Sequence, residues 1–244
     1  VLTNNILSSI MVMIIDLSDM RRDEKKIRKM YEIEKEVSDM RKQFIHIVSH
    51  EFRTPLGGIQ GSVELLERYY DKFDETKRKT TFDHIYESIS YITRLLEDVV
   101  LYGKKEKFIH NPTLVNFEDI CKEVIEELYT IQKIEKMINF TVNFEIGMVL
   151  LDKPLIKIVI SNLLSNGIKY SPPEKNVDLT VSRLSKETFF ILVRDYGMGI
   201  PDSDLADIFE PFKRGNNVGT IKGTGLGLAI IKKIVDSNGG TVEI

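Results

Sequence analysis

His50 and Glu51 stand side by side in "FIHIVSHEFRTPL", residues 44–56, with Thr54 and Pro55 just beyond them. A neutral imidazole, with an unperturbed pKa of about 6.5, is a competent nucleophile near neutral pH. It needs the right tautomer and an acceptor for its proton. Glu51 can supply that carboxylate, and Thr54 can hold a water on the same face. A metal pair made of His46 and His50 is disfavoured: the metalloprotease pattern is His-Glu-x-x-His, and "HEFRT" lacks the second histidine.

Two further constellations lie past residue 150. In "NLLSNGIKY", Asn162, Asn166 and Lys169 follow one another at spacings of four and three, on one side of a helix. Amide oxygens can ligate Mg²⁺, and a lysine can meet phosphate. In "RDYGMGIP", Asp195 ends a strand pattern and Gly197 and Gly199 follow. An ionised aspartate only accepts hydrogen bonds, so it can receive the amino group of adenine, while glycines let backbone approach a ligand closely. The stretch "IFEPFKRGNNVGTIKGTGLGLAI" adds glycines at 215, 219, 223, 225 and 227 ahead of a helix whose N-terminal amides suit phosphates. It is neither G-x-G-x-x-G after a first strand nor a P-loop, which excludes both of those nucleotide folds.

The elements that position these residues fall into two kinds. From Met30, apolar residues step by three and four through Ile33, Val37, Met40, Phe44 and Ile47, a coiled-coil seam in charged surroundings. The register then shifts and resumes at Phe52, Leu56, Ile59, Val63 and Leu66. On a helical wheel of about 100° per residue, His50 lies opposite that seam, with Arg53, Thr54, Gly57 and Gly61 on its outward side. Gly57, Gly58 and Gly61 cost roughly 1 kcal/mol each inside a helix, and Pro55 about 3 where it removes a hydrogen bond. Bulk is thus lost where another protein must come close. "YYDKFDET" reads as a turn with Asp74 as the N-cap of a second helix, seamed by Phe82, Ile85, Ile89, Ile92, Leu96 and Val99. Two helices with one narrow stripe each bury little alone, so a homodimer forming a four-helix bundle is expected.

Beyond the charged "YGKKEKFIHNP" the pattern becomes mixed. A helix is predicted at Phe117–Ile131, and a strand at "NFTVNFEI" with Phe140, Val142, Phe144 and Ile146 alternating. "VLLDKPLIKIVISNLLSNGIKYS" opens as a strand and continues as a helix, and "VDLTVSRL" and "TFFILVRD" read as neighbouring strands. A helix near Leu226–Asp236 and the start of a strand at "GGTVEI" close the chain. The 244 residues suggest two domains, and a net charge of −3 with interspersed signs leaves no footprint for nucleic acid. One cysteine, Cys121, excludes an internal disulfide and suits a reducing compartment. The apolar run "SSIMVMIID" has about half the ~20 residues of a membrane span. A buried strand fits it better than the remnant of a span, and both readings stand.

Five motifs in order carry a resemblance over about residues 38–244. "SHEFRTPL" resembles the phospho-acceptor box of two-component sensor histidine kinases, with Phe52 where leucine is commoner. "NLLSNGIKY" resembles their N box, with Gly167 where alanine is usual. "DYGMGIP", "IFEPFKRG" and "GTGLGLAI" resemble the first glycine box, the F box and the second glycine box. "IMVMIIDLSDMRRDEKK", with Asp16 to Asp19, resembles the last strand and exit motif of a PAS sensor domain.

The fold implied is α+β: a helical hairpin forming a dimeric four-helix bundle, then a two-layer α/β sandwich of the Bergerat ATP-binding type. Its segments would be the end of a sensor domain (1–20), a coiled-coil signalling helix (21–43), a dimerisation and phosphotransfer domain (44–103), a linker (104–113) and a catalytic domain (114–244). The family runs one strand further than "GGTVEI", so the last domain would be incomplete. The resemblance implies ATP-dependent phosphorylation of His50, with Glu51 as proton acceptor and Thr54 positioning water for a phosphatase reaction. Nucleotide contacts would come from Asn162, Asn166, Lys169, Tyr170, Asp195, Gly197, Gly199, Lys213, Arg214, Gly223, Gly225, Leu226 and Gly227, with Asn162 and Asn166 holding Mg²⁺. Implied partners are a second copy, a response regulator receiver domain and an upstream sensor domain, with no membrane contact within this stretch. The setting would be cytoplasmic, including the cytoplasmic part of a membrane-anchored sensor. Two other readings remain: a GHKL-type ATPase that turns hydrolysis into conformational work, and a non-catalytic dimeric signalling module.

Overall fold

The computed structural model describes residues 18–103, 111–130, 137–143, 147–185, 188–219, 221 and 223–244. The segment expected to end a sensor domain therefore falls largely outside the described residues, as do Ile131, Phe144, Ile146 and most of the expected linker. The chain divides into two compact units, Val1–Ile47 and Val48–Ile244.

Helix α1 spans Ser18–Tyr69. Its first part, up to residue 47, is rich in Glu, Lys, Arg and Met, which lose little rotamer freedom in a helix. Exposed pairs one turn apart, Arg28 with Glu32 at 3.2 Å and Lys42 with Asp39 at 3.3 Å, support it. The seam residues Met30, Ile33, Val37 and Met40 are all exposed, as an apolar stripe awaiting a second helix would be.

In the second unit α1 continues through Pro55 without a break. The proline removes one backbone donor but does not end the helix. A short 3₁₀ turn at Tyr70–Lys72 leads to α2, Glu75–Gly103. Asp74 caps α2 as expected, its carboxylate accepting from the Lys77 amide at 2.6 Å. Gly58 of α1 faces Ser88 of α2, where an added Cβ would lie 3.8 Å from the hydroxyl, while Gly57 and Gly61 open onto space. Leu66, Thr81 and Leu95 are buried in the hairpin helices, yet Leu56 stays 54% exposed. One hairpin covers only part of its own stripe.

The α/β part begins with β1, Thr113–Asn116, and α3, Phe117–Thr130. There follow β2 (Ile138–Asn143), β3 (Met148–Leu151), α4 (Lys153–Tyr170), β4 (Val177–Arg183) and β5 (Phe189–Arg194). A single turn, α5 at Asp202–Leu205, precedes α6, Gly227–Ser237. Strands β2, β4 and β5 form a sheet in that order, β2 parallel and β5 antiparallel to β4. Val177, Leu179 and Val181 alternate inward from β4 and are fully buried. Ile120, Val124 and Leu128 of α3 and Ile160 and Leu164 of α4 pack into the same core. Phe117 and Phe189 meet there with ring centroids 4.8 Å apart. Cys121 is buried in this core, and burial pushes its thiol up to about 12, so it is no nucleophile at neutral pH.

Two expectations change. The α/β part starts with a strand: β1 pairs antiparallel with β3, Leu114 opposite Leu150. Four residues carry too little alternation to be read without their partner strand. At the other end, residues 240–244 form no strand. Gly239, at φ +72°, turns the chain off α6, and among the described residues no strand is laddered to the segment that follows.

Asp152 fixes where α4 starts. One carboxylate oxygen accepts from the Leu155 amide at 3.2 Å and the other from the Asn111 amide at 3.1 Å. With Pro154 in the first turn, this is a strong helix start. Asp152→Ala is expected to lower stability by about 1 kcal/mol, read from urea unfolding of the intact chain; an unchanged midpoint would deny the cap this role.

Candidate active site

On α1, His50 projects outward with its side chain 67% exposed. Its Nδ1 lies 3.7 Å from Glu51 Oε1, longer than a hydrogen bond but within an ion-pair contact. The other Glu51 oxygen, Oε2, accepts from the Tyr91 hydroxyl of α2 at 2.8 Å. Burial first, and then the bond to Glu51, push the Tyr91 phenol well above its usual value. Tyr91 therefore stays a proton donor at neutral pH. Thr54 is exposed, its Oγ1 donating weakly to the His50 carbonyl at 3.4 Å.

A cavity of about 460 Å³ lies in the same unit. Helix α4 supplies one wall. Its core-facing side, Ile160, Leu164 and Gly167, is held against the sheet and α3, which turns Asn162, Asn166 and Lys169 toward the cavity. Asn162 Nδ2 donates to the Ile158 carbonyl at 3.0 Å, leaving Oδ1 directed at Gly227 across the wall. Lys169 Nζ lies 3.1 Å from the Tyr170 hydroxyl and 4.6 Å from the centre of that ring. The helix runs unbroken through Gly167, and a Cβ there would stand 3.0 Å from Val177 Cγ1. A small residue lets α4 settle onto β4.

Asp195 follows β5 into the cavity and accepts from the Gly197 amide at 2.9 Å. Gly197 does not line the cavity: a Cβ on it would fall 2.5 Å from the Tyr170 carbonyl oxygen. Its job is to bring the loop against the end of α4. Gly199, Gly223, Gly225 and Gly227 all line the cavity with Tyr170, Lys213 and Arg214. Leu226, expected at the nucleotide, is fully buried and is absent from the cavity wall. An apolar side chain at the entry to α6 is worth more in the core.

Lys213 pairs with Asp207 at 3.0 Å, which raises its pKa, and Arg214 donates to the Ile221 carbonyl. Neither cation is spent inside the cavity. Just before them, Phe212 adopts a left-handed φ of +63° and its amide donates to the Gly225 carbonyl at 2.9 Å. A Cβ on Gly225 would sit 2.7 Å from the Phe212 carbonyl carbon, so the segment at Phe212 and the last glycine turn meet through backbone.

Sequence reasoning missed several residues that shape this site. Asp204 is buried and accepts from the Asn216 amide at 2.7 Å and its Nδ2 at 2.6 Å. Asn217 Nδ2 donates to the Gly199 carbonyl at 2.9 Å, tying the loop to the glycine turn. Tyr91, Arg94 and Asp98 of α2 also line the cavity. The Asp98 carboxylate, raised mainly by burial, accepts from Thr224 Oγ1 at 2.8 Å. Lys233 of α6 donates to the Tyr102 carbonyl and stands 5.0 Å over the Tyr102 ring. Side-chain partners 126 residues apart leave no local signal.

Known proteins align with both parts. Residues 40–108 match the His Kinase A (phospho-acceptor) domain. Residues 151–244 match the family described as histidine kinase-, DNA gyrase B-, and HSP90-like ATPase. Sensor protein KdpD of Clostridium acetobutylicum is 32% identical over 219 residues, covering 87% of this chain and 24% of KdpD. Signal transduction histidine-protein kinase ArlS of Staphylococcus epidermidis is 31% identical over 219 residues, covering 88% of this chain and 47% of ArlS. The chain thus spans about a quarter of the one and about half of the other. The solved complex of histidine kinase ThkA with response regulator protein TrrA aligns with a TM-score of 0.61 at 24% identity, covering 93% of this chain and 61% of that one, and speaks for the fold. Both domain matches fall on one chain, within the stretch that KdpD and ArlS share with it, and the chain belongs to the sensor histidine kinase family.

Proposed function

We infer that this chain is a kinase core that phosphorylates His50 from Mg-ATP and passes the phosphoryl group to an aspartate of a response regulator. One observation carries the reading. An exposed imidazole with a carboxylate at 3.7 Å shares a compact unit with a cavity walled by Asn162, Asn166, Lys169 and Asp195. Phosphoryl transfer asks mainly for positioning and charge stabilisation, which these groups supply.

Asp195 accepts the adenine amino group, and Lys169, Lys213 and Arg214 offset charge at the phosphates. The amide oxygens fit a cation held jointly with phosphate. Asn162 Oδ1 faces the cavity wall because its own Nδ2 is already bonded, and no cluster of three His, Cys, Asp or Glu among the described residues could hold a metal unaided. When bound, Mg²⁺ would neutralise charge on the phosphates. Glu51 takes the proton that leaves the imidazole. Thr54, exposed one turn beyond His50, holds the water that hydrolyses the phosphorylated regulator, giving the same chain a phosphatase activity.

The match of the catalytic part to an ATPase family supports ATP use, and the ThkA–TrrA complex supports a receiver domain as partner. The open seams of α1 and α2 support a homodimer, with Leu56, Val63 and Leu96 meeting a second copy. Residues 1–20 belong in this reading to an upstream sensor segment, 21–43 to a signalling coiled coil, 44–103 to the phosphotransfer hairpin, 104–113 to a linker and 114–244 to the catalytic domain. The setting is cytoplasmic; no helix among the described residues is long and apolar enough to cross a membrane.

With labelled ATP, the wild-type chain should acquire acid-labile, base-stable label that His50→Gln abolishes. Release of free phosphate without labelled protein would instead make it an ATPase. Asp195→Asn should weaken ATP binding roughly ten- to a hundredfold, the size of one hydrogen bond to a charged group; an unaltered affinity in a direct titration would remove it from the adenine site. Thr54→Ala should leave labelling of His50 intact and slow dephosphorylation of the regulator severalfold, whereas equal loss of both reactions would contradict its role.

A further inference from the structure

Glu51 has two carboxylate oxygens, and the structure gives each a different neighbour. Oε2 takes the Tyr91 hydroxyl at 2.8 Å, and Oε1 stands 3.7 Å from His50 Nδ1. A half-exposed glutamate on a helix otherwise samples several rotamers. Tyr91 belongs to α2 and is half-buried, and it also lines the cavity with Arg94 one turn further on. Its ring thus borders the cavity while its hydroxyl reaches the carboxylate beside the histidine.

We propose that Tyr91 is a positioning residue for phosphorylation of His50: it holds the Glu51 carboxylate so that the free oxygen selects the Nδ1–H tautomer of the imidazole. The proposal rests on the kinase reading above and adds to it the group that acts through Glu51. A carboxylate facing Nδ1 keeps the proton there, and the Nε2 lone pair is left as nucleophile. In the transfer, a bond forms between Nε2 and the γ-phosphorus as the bond to the bridging oxygen breaks, and that electron pair leaves on ADP. The Nδ1 proton passes to Glu51. Tyr91 keeps its own proton throughout, in line with the upward push that burial and the carboxylate exert on its phenol.

Tyr91→Phe removes the hydroxyl and keeps the ring, so the cavity wall survives. Two measurements on the full chain test the role. The first is the rate of His50 labelling at saturating ATP beside ATP affinity. The second is the tautomer of His50, read from ¹⁵N shifts with selectively labelled histidine, where four histidines give a readable spectrum and His50→Gln assigns the signal. The expected result is a rate roughly ten- to a hundredfold lower with ATP affinity held within about twofold, and an Nδ1–H signal that moves toward the Nε2–H form. An unchanged rate, a loss carried by ATP affinity, or an unmoved tautomer would each overturn the proposal. Wild-type chain that takes no label, or label that survives His50→Gln, is a separate outcome: it removes the kinase reading itself.

Discussion

The burial of one face of α4 is the constraint on which the rest depends. Ile160 and Leu164 go into the core with β4 and α3, with Gly167 against Val177 on the same side, and the helix has no freedom to roll once they are there. Rotating it by one residue would expose leucine and bury amide, at a cost of several kcal/mol. The opposite face is thereby committed to the cavity, and it carries Asn162, Asn166 and Lys169. Polar groups that would be wasted on a surface helix are brought to one wall by apolar packing behind them.

A second constraint is backbone proximity. The loop after β5 must reach the end of α4 closely enough that any side chain at Gly197 would strike the Tyr170 carbonyl. Around the far side of the cavity, Phe212 and Gly225 meet main chain to main chain, Phe212 at a φ that non-glycine residues seldom adopt. Such strain persists where surrounding contacts over-determine it. Here the buried Asp204 carboxylate, with its bonds to Asn216, pins the loop that follows Phe212. The loop is shaped by a buried carboxylate whose two oxygens both accept hydrogen bonds from it.

Local chemistry made much of this readable in advance. The outward His50, the Asp74 cap, the amide row of α4 and the strand at β4 all follow from spacing within a few residues. What escaped is what depends on distant partners. Four-residue β1 exists because β3 lies beside it, and the expected last strand is absent where no ladder receives it. Leu226 looked like part of a glycine-rich binding loop, but its apolar side chain went to the core. Tyr91 carried no signal at all: on the α2 wheel it is one more aromatic, and its meaning comes from a glutamate forty residues earlier.

The seam between α2 and the α/β part is of a different kind from either core. The large apolar cluster draws its members from β1 through β5, α3 and α4, and none from the hairpin. What joins α2 to α6 and the last glycine turn includes a carboxylate–hydroxyl bond, Asp98 to Thr224, and the Lys233 ammonium on Tyr102. Each such contact is worth on the order of 1 kcal/mol, against the tens of kcal/mol gained by burying a core. Burial has raised the Asp98 carboxyl and lowered the Lys233 ammonium, so holding these groups out of water works against their charges. The cavity therefore has one wall built for permanence and another, carrying Tyr91, Arg94 and Asp98, whose polar bonds can be exchanged for water at small net cost.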